Sequence, residues 1–361
     1  MTFQRIKFSK EVDLDFSKTL KKRVREYFEK NQIPRTGGNA MIIKVAFMLA
    51  LYLVPLVLML TGVVTSDWGV FGMWSIMGIG LAGIGLAIMH DACHGALSSH
   101  KKINNFLGYV LDFVGGSCSL WKIQHNVLHH SFTNIEGHDD DIAPVGVLRF
   151  SPHAEKKGVH RFQFLYAWFF YGLMTFSWVT FKDFRLVLRY NKKGLTRGKK
   201  QAVGPMMTRL FFAKVAYYTY ILVLPLVLMD NAWWVIVGSW FTMHFIAGLI
   251  LALIFQPAHV MPDSKYPLPD ESGHMDNSWF IHQLLTTTNF SPNSKWFSWY
   301  VGGLNYQIEH HLFPSISHVH YPKLSKIVEE TAKEFDLPYN KQPNFVKAVW
   351  EHGKMLYMLG R

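Results

Sequence analysis

Two long stretches of the chain carry no Lys or Arg. They run from Val45 to His100 and from Val215 to Ser264. Each is strongly apolar and has one short polar break, Thr65-Ser66-Asp67 in the first and Asp230-Asn231 in the second. A membrane-crossing helix needs about 20 apolar residues, so each stretch is predicted to be a hairpin of two spans, near 42–64, 69–90, 208–229 and 233–256. The expected fold class is therefore an all-α integral membrane protein with four transmembrane helices. The hairpin tips carry Asp and no basic residue, while all 37 Lys and Arg lie near or beyond the other helix ends. By the positive-inside rule, both termini and segment 91–207 are expected in the cytoplasm, forming a helical cap. A large soluble helical core is the alternative, and it leaves the charge asymmetry without a cause.

Outside the spans, residues 1–40 form a polar, basic segment expected on the cytoplasmic side. Within it Leu20, Val24, Tyr27 and Phe28 fall at helical spacing, predicting an amphipathic helix over Phe16–Gln32. Residues 33–38 read as a linker, and nothing resembles a cleaved signal peptide. The stretches Ile103–Trp121 and Phe162–Phe181 are apolar but short or broken. They are expected to lie in the membrane interface, with an extra pair of spans as the rival reading. The chain after 257 is soluble in character, with a helix expected from about Lys323 to Phe335. The main body is placed at 41–340 and a tail at 341–361.

Composition narrows the class further. Half of the 361 residues are hydrophobic and 17% are charged, against a usual charged share of about 25%. That balance excludes a disordered chain. Two cysteines, Cys93 and Cys118, exclude a disulfide scaffold. A net charge of +12 would by itself permit nucleic-acid binding. Topology accounts for the charge, so no nucleic-acid partner is expected; membrane lipids are.

The 18 histidines carry the chemistry. His90 and His94 are four apart at the end of the second span, a spacing that puts both rings on one helix face. His125, His129 and His130 follow H-x-x-x-H-H, where the third ring points about 100° away and can reach a second metal. Gln307-Ile308-Glu309-His310-His311 supplies an adjacent pair, and His259 lies just beyond the fourth span. Neutral imidazole is the commonest protein metal ligand. Eight of them in four segments on one side of the membrane are too many for one ion, so the cap is expected to hold a di-metal site. Ligand type allows Zn, Cu or Fe. Asp91, Asp139 and Asp141 are the carboxylates expected to receive the rings' other N–H; a solvated turn is the alternative for the 139–141 run. His244 lies 15 residues before His259, roughly 22 Å along a helix, and is excluded from the cluster. His282 stays open as a ligand. His100, His138, His153, His160, His274, His318, His320 and His352 are expected at the surface or in support.

With these residues in view, the chain resembles the membrane fatty acid desaturase family. The three boxes are His90-Asp91-Ala92-Cys93-His94, His125-Asn126-Val127-Leu128-His129-His130 and Gln307-Ile308-Glu309-His310-His311, and Gly303-Leu304-Asn305-Tyr306 and Leu312-Phe313-Pro314 are also similar. The resemblance spans about residues 40–340. It implies four spans, a cytoplasmic cap with two Fe ions held by the box histidines and His259, and a tunnel for an acyl chain. The implied reaction converts O2, two electrons and an acyl-CoA or acyl-lipid into a cis-alkene and two waters. Such chemistry at an unactivated C–H bond is beyond acid–base side chains and needs a metal. Gln307 at the head of the third box looks like the front-end subgroup, which desaturates between an existing double bond and the carboxyl end; it leaves open whether Gln307 meets iron directly, through water or not at all. The His-Pro-Gly-Gly mark of a fused cytochrome b5 is absent, and a separate donor of the ferredoxin or cytochrome b5 type is expected.

A fatty acyl or sphingolipid hydroxylase on a similar site, a membrane zinc hydrolase and a transporter with a structural metal are the competing readings. Two placements follow from the desaturase reading. Lys182, Arg185, Arg189, Lys192, Lys193, Arg197, Lys199 and Lys200 are expected to dock an electron donor or to touch lipid. The acyl tunnel is expected along the second-span face leading back from His90 through Leu86, Gly83 and Ile79. Close helix packing at that row of small residues is the rival.

Overall fold

The computed structural model describes residues 6–10, 12, 14–143, 146–196 and 202–361. Among these, four helices are long and apolar enough to cross a membrane: Gly38–Leu60, Asp67–His94, Val203–Leu228 and Trp233–His259. The first span starts and ends about four residues early, because Gly62 with φ 73° turns the chain. The second runs on to His94, because nothing breaks it before Gly95, whose φ of 75° places it in the left-handed cap conformation. The two hairpin tips are tied together: Asn231 Nδ2 donates to the Thr65 carbonyl and to Asp67 Oδ1, both at 2.7 Å.

Small residues let the spans approach closely. A Cβ on Gly78 would sit 2.7 Å from the Met243 carbonyl of the fourth span, and one on Gly80 2.8 Å from the backbone of Leu51 in the first. Among the π-helical stretches, two bear on the boxes: Ile84–Met89 just before His90 and Lys122–His129 across the second box. Bonding from i to i+5 widens the turn and re-aims the side chains that follow.

The stretches expected in the interface are more broken than that. Residues 103–121 fall into Lys101–Gly108, Val110–Phe113 and Cys118–Trp121. Asp112 explains the interruption, since it accepts from the Cys118 N–H at 2.9 Å and pairs with Arg209. The second stretch lies within Gly158–Gly172 and Met174–Lys192, two helices bent by 56° that together have the length of a broken span. Its bend packs on the fourth span, where the Thr175 hydroxyl donates to the His244 carbonyl at 2.6 Å.

The N-terminal helix Leu14–Asn31 buries Phe16, Leu20, Val24 and Phe28. That face meets Tyr321–Glu334, and Arg23 grips Glu334 with both guanidinium nitrogens. The 341–361 segment is not a loose tail. Its helix, Phe345–Gly360, buries Ala348, His352, Met355, Leu356 and Leu359, because its apolar residues recur at helical spacing. Two short parallel pairs, Lys7–Phe8 with His274–Met275 and Thr288–Phe290 with Asn340–Gln342, fasten the cap.

Candidate metal centre

The helix ends and the wide π-turn bring all eight box and post-span histidines together. Ligand nitrogens of His90, His94, His125 and His310 lie within 4.8 Å of one another, as do those of His129, His259 and His311, and those of His130, His310 and His311. Seven of the eight rings are buried, His94 being half-buried. The π-turn changes the pairing that ordinary helical spacing suggests. Among the all-histidine groups His125 and His129 fall in different ones, although the two also share a group with Asp141, and His130 Nε2 sits 3.1 Å from His125 Nε2, five residues back.

Four of these eight rings are held by the nitrogen that faces away from the cluster. His129 Nδ1 lies 3.1 Å from both oxygens of Asp139, His259 Nδ1 is 3.2 Å from the Thr286 carbonyl, His310 Nδ1 is 3.2 Å from the Tyr321 hydroxyl, and His311 Nδ1 is 2.8 Å from Gln283 Oε1. An acceptor at Nδ1 selects the tautomer with a lone pair on Nε2. The Nε2 atoms of His94, His259, His310 and His311 are buried and have no hydrogen-bond partner among the described residues. Converging bare lone pairs are what a metal ion would satisfy, so the residues fit metal ligation.

Electrostatics agree. Burial, reinforced by neighbouring imidazoles, pushes His125, His130, His310 and His311 well below the ordinary histidine range, leaving them neutral and able to ligate. His129 differs. Burial pulls it down, but Asp139 and Asp141 together lift it to about 9 in the metal-free protein. Asp141 Oδ2 stands 3.5 Å from His129 Nδ1 and 3.7 Å from His125 Nδ1. Asp139 is buried and takes the backbone N–H groups of Asn134 and Asp141, so the 139–141 run is a built support.

Asp91 lies 3.9 Å from His90 Nδ1, and its Oδ2 instead takes His318 Nδ1 at 2.8 Å and the Ser317 hydroxyl at 2.9 Å. His318 Nε2 in turn meets Lys44 Nζ at 2.6 Å. The carboxylate thus ties the first box to the segment after the third. Gln307 is buried on the third-box helix with its Nε2 unpartnered. His282 stands apart from the groups: its Nε2 donates to the Thr133 carbonyl at 2.8 Å. His244 also stays apart, bonded to Tyr217 and Thr175. His160, His318 and His352 are buried; His352 bridges Tyr171 and the Val260 carbonyl. Gln283, Tyr321 and Thr286 had no signal in the sequence, because each reaches its histidine only through tertiary packing.

A cavity of about 800 Å³ adjoins the centre. His125, His129 and His259 line it, and so does His244, which puts its two ends roughly 22 Å apart along the fourth span. Leu81, Gly85 and Met89 form its second-span wall. The neighbouring face, expected to line a tunnel, lies off the cavity. A Cβ on Gly83 would meet Met48 Sδ at 2.4 Å, Leu86 is buried under the Gly302 loop, and Ile79 is exposed. The row of small residues is a packing face, since the first span occupies the room it leaves.

Four apolar spans, a buried histidine centre and a long apolar cavity beside it define a membrane metalloprotein acting on an elongated apolar molecule. The family model for fatty acid desaturase matches residues 66–343, and the chain belongs to that family. It is similar to the sn-1 linoleoyl-lipid 6-desaturase of Synechocystis sp., 35% identical over 363 residues covering 100% of this chain and 99% of that one. The acyl-lipid (8-3)-desaturase of Physcomitrium patens is 36% identical over 353 residues, 96% of this chain and 72% of its own length. Delta(5) fatty acid desaturase A of Dictyostelium discoideum is 31% identical over 358 residues, 96% and 75%. The chain is an oxidoreductase, a desaturase of fatty acyl chains.

Proposed function

We propose that this chain is an acyl-lipid desaturase that places a cis double bond near the head-group end of a membrane lipid's acyl chain, using two irons, O2 and an external donor of the ferredoxin or cytochrome b5 type. The observation that carries this is one continuous cavity lined by three cluster histidines, by a polar and charged patch beside them, and elsewhere mainly by apolar side chains. His90, His94, His125 and His310 would hold one iron, and His129, His259 and His311 the other, with His130 beside both. Bound iron would supply the oxygen activation and hydrogen removal that no side chain provides.

The protein's own part is positioning. Asp139, Gln283, Tyr321 and the Thr286 carbonyl fix the ring orientations. Leu81, Leu111, Val114, Leu173 and Met174 give the chain an apolar bed leading away from the centre. Such a bed presents one C–H pair and excludes water from the rest. The positive charge beside the cap supports a cytoplasmic placement of the centre and termini.

The test is expression in a host without polyunsaturated lipids, fed isotope-labelled fatty acids. Mass spectrometry of the products and iron analysis of the purified protein follow. A new double bond on the carboxyl side of an existing one, with iron bound, is expected. Hydroxylated product alone, or zinc in place of iron, would overturn the reading.

A further inference from the structure

The polar end of the cavity is built by one helix face. Lys182, Arg185 and Arg189 of Met174–Lys192 all line it, at the three- and four-residue spacing that stacks side chains together. Asp140, Asp141, Gln124 and Gln256 line the same cavity. The acids are already engaged. Asp140 pairs with Arg189 and Lys193 and accepts the Tyr190 hydroxyl at 2.7 Å. Asp141 accepts from Gln124 at 2.6 Å and faces His125 and His129.

Lys182 and Arg185 are different. Neither has a carboxylate within ion-pair distance among the described residues, and each is braced on an aromatic ring. Lys182 Nζ lies 5.1 Å from the Trp178 centroid, and the Arg185 guanidinium carbon lies 5.0 Å from that of Phe181. Lys182 is half-buried and Arg185 is exposed, so the pair marks the entrance. Two cations at the mouth, beyond ion-pair reach of the acids that share this end of the cavity, leave a place for an anion there. The acyl chain supplies none once esterified, so the charge belongs to the head group.

We infer that Lys182 and Arg185 form a phosphate-binding subsite at the cavity mouth, selecting substrates whose polar end carries a phosphate, with a membrane phospholipid as the source the open mouth favours. This rests on the reading of the cavity as the acyl site. It divides the basic segment. Lys182 and Arg185 serve the substrate, Arg189 and Lys193 are held by Asp140, and Lys192 faces outward; Arg197, Lys199 and Lys200 lie outside the described residues. Guanidinium and ammonium groups suit phosphate as fork and point charge respectively.

The experiment is equilibrium binding of matched probes to the detergent-solubilised, metal-loaded full chain. The probes are phosphatidylglycerol, an uncharged galactosyl diacylglycerol and an acyl-CoA, all with the same acyl chain. No electron donor is present, so impaired donor docking cannot imitate the result. The parent should prefer phosphatidylglycerol over galactolipid by about tenfold or more, the scale of a charge-assisted contact. Lys182→Gln/Arg185→Gln should lose that preference while binding galactolipid as before, and Arg185→Lys should keep part of it. Lys192→Gln, on the outward face, should bind like the parent. A preference for acyl-CoA that the double variant abolishes would keep the phosphate subsite and change its source. Equal binding of all three probes, unchanged in the double variant, would overturn the inference. Product formed in cells by that same protein would show that the acyl-site reading survives; binding without any product would show that the reading itself has failed.

Discussion

Gln283 lies outside every histidine box, yet its Oε1 is the main acceptor for His311 Nδ1, at 2.8 Å. Gln283→Leu keeps the volume and removes the acceptor. The ring would then be free to put its proton on Nε2 and lose its ligating lone pair. Support of this kind is worth about 10- to 100-fold in metal affinity. The structure points to the lower end, because Thr133 Oγ1 stands 3.3 Å from the same Nδ1. Its own proton goes to the His129 carbonyl at 2.7 Å, which leaves oxygen lone pairs to accept from His311. Gln283 Oε1 is also 3.0 Å from Thr133 Oγ1, an alternative acceptor for that hydroxyl, while Gln283 Nε2 to the His130 carbonyl is 3.4 Å and weak. Gln283→Leu should therefore cost about tenfold, or about 1.4 kcal/mol. Thr133→Val alone should cost less than that. The double variant should approach 100-fold, more than the two single changes combined. The assay is anaerobic Co(II) titration of the purified protein against a chelator, followed by ligand-field absorbance. The His90, His94, His125 and His310 group does not depend on Gln283, so one of two binding steps should weaken and the other hold. A double variant that binds both ions like the parent, or loses both equally, would refute the argument.

Other outcomes follow from the same geometry. His311→Ala should lower bound metal and abolish turnover while the protein stays inserted, whereas His244→Ala, bonded only to Tyr217 and Thr175, should keep its full metal content on elemental analysis. Gly83→Leu drives a side chain into Met48 and should lower thermal stability by about 1–3 kcal/mol for any substrate. Gly85→Leu, on the cavity wall, should instead shift the product profile towards shorter acyl chains; a shifted profile from Gly83→Leu would reverse this assignment. Burial raises Glu309 to about 8 in the metal-free protein, against hydrogen bonds from Asn289 and Tyr339 that favour its ionised form. Folding therefore holds a proton that the unfolded chain releases near 4.5, so its contribution is complete below that pH and disappears as pH rises through 8. Glu309→Gln should flatten the fall of the apoprotein's unfolding temperature across that window, and an unchanged slope would count against a buried neutral acid.

Much of this was legible in the chain. Stretches without Lys or Arg, broken at Thr65-Ser66-Asp67 and Asp230-Asn231, predicted two helical hairpins, because a spanning helix must be apolar over a set length whatever it packs against. The eight histidines that the fold brings together were legible too, since metal binding demands a residue type and a local spacing. Which histidine joins which group was not: across the π-turn at Lys122–His129, His125 joins His90, His94 and His310 while His129 joins His259 and His311, the two also sharing Asp141, and a widened turn is chosen by packing, not by composition. The acyl face of the second span was equally hidden. Ile79, Gly83 and Leu86 share one stripe and Leu81, Gly85 and Met89 another, both able to pack or to line a cavity. Only the placement of Met48 and of the bent helix at Leu173 and Met174 decides between them. The supports Gln283, Tyr321 and Thr286 are the clearest case. An N–H bonded across the fold leaves no periodicity, spacing or charge pattern, so sequence marked the candidate histidines and tertiary contact alone set which nitrogen each one turns to the cluster.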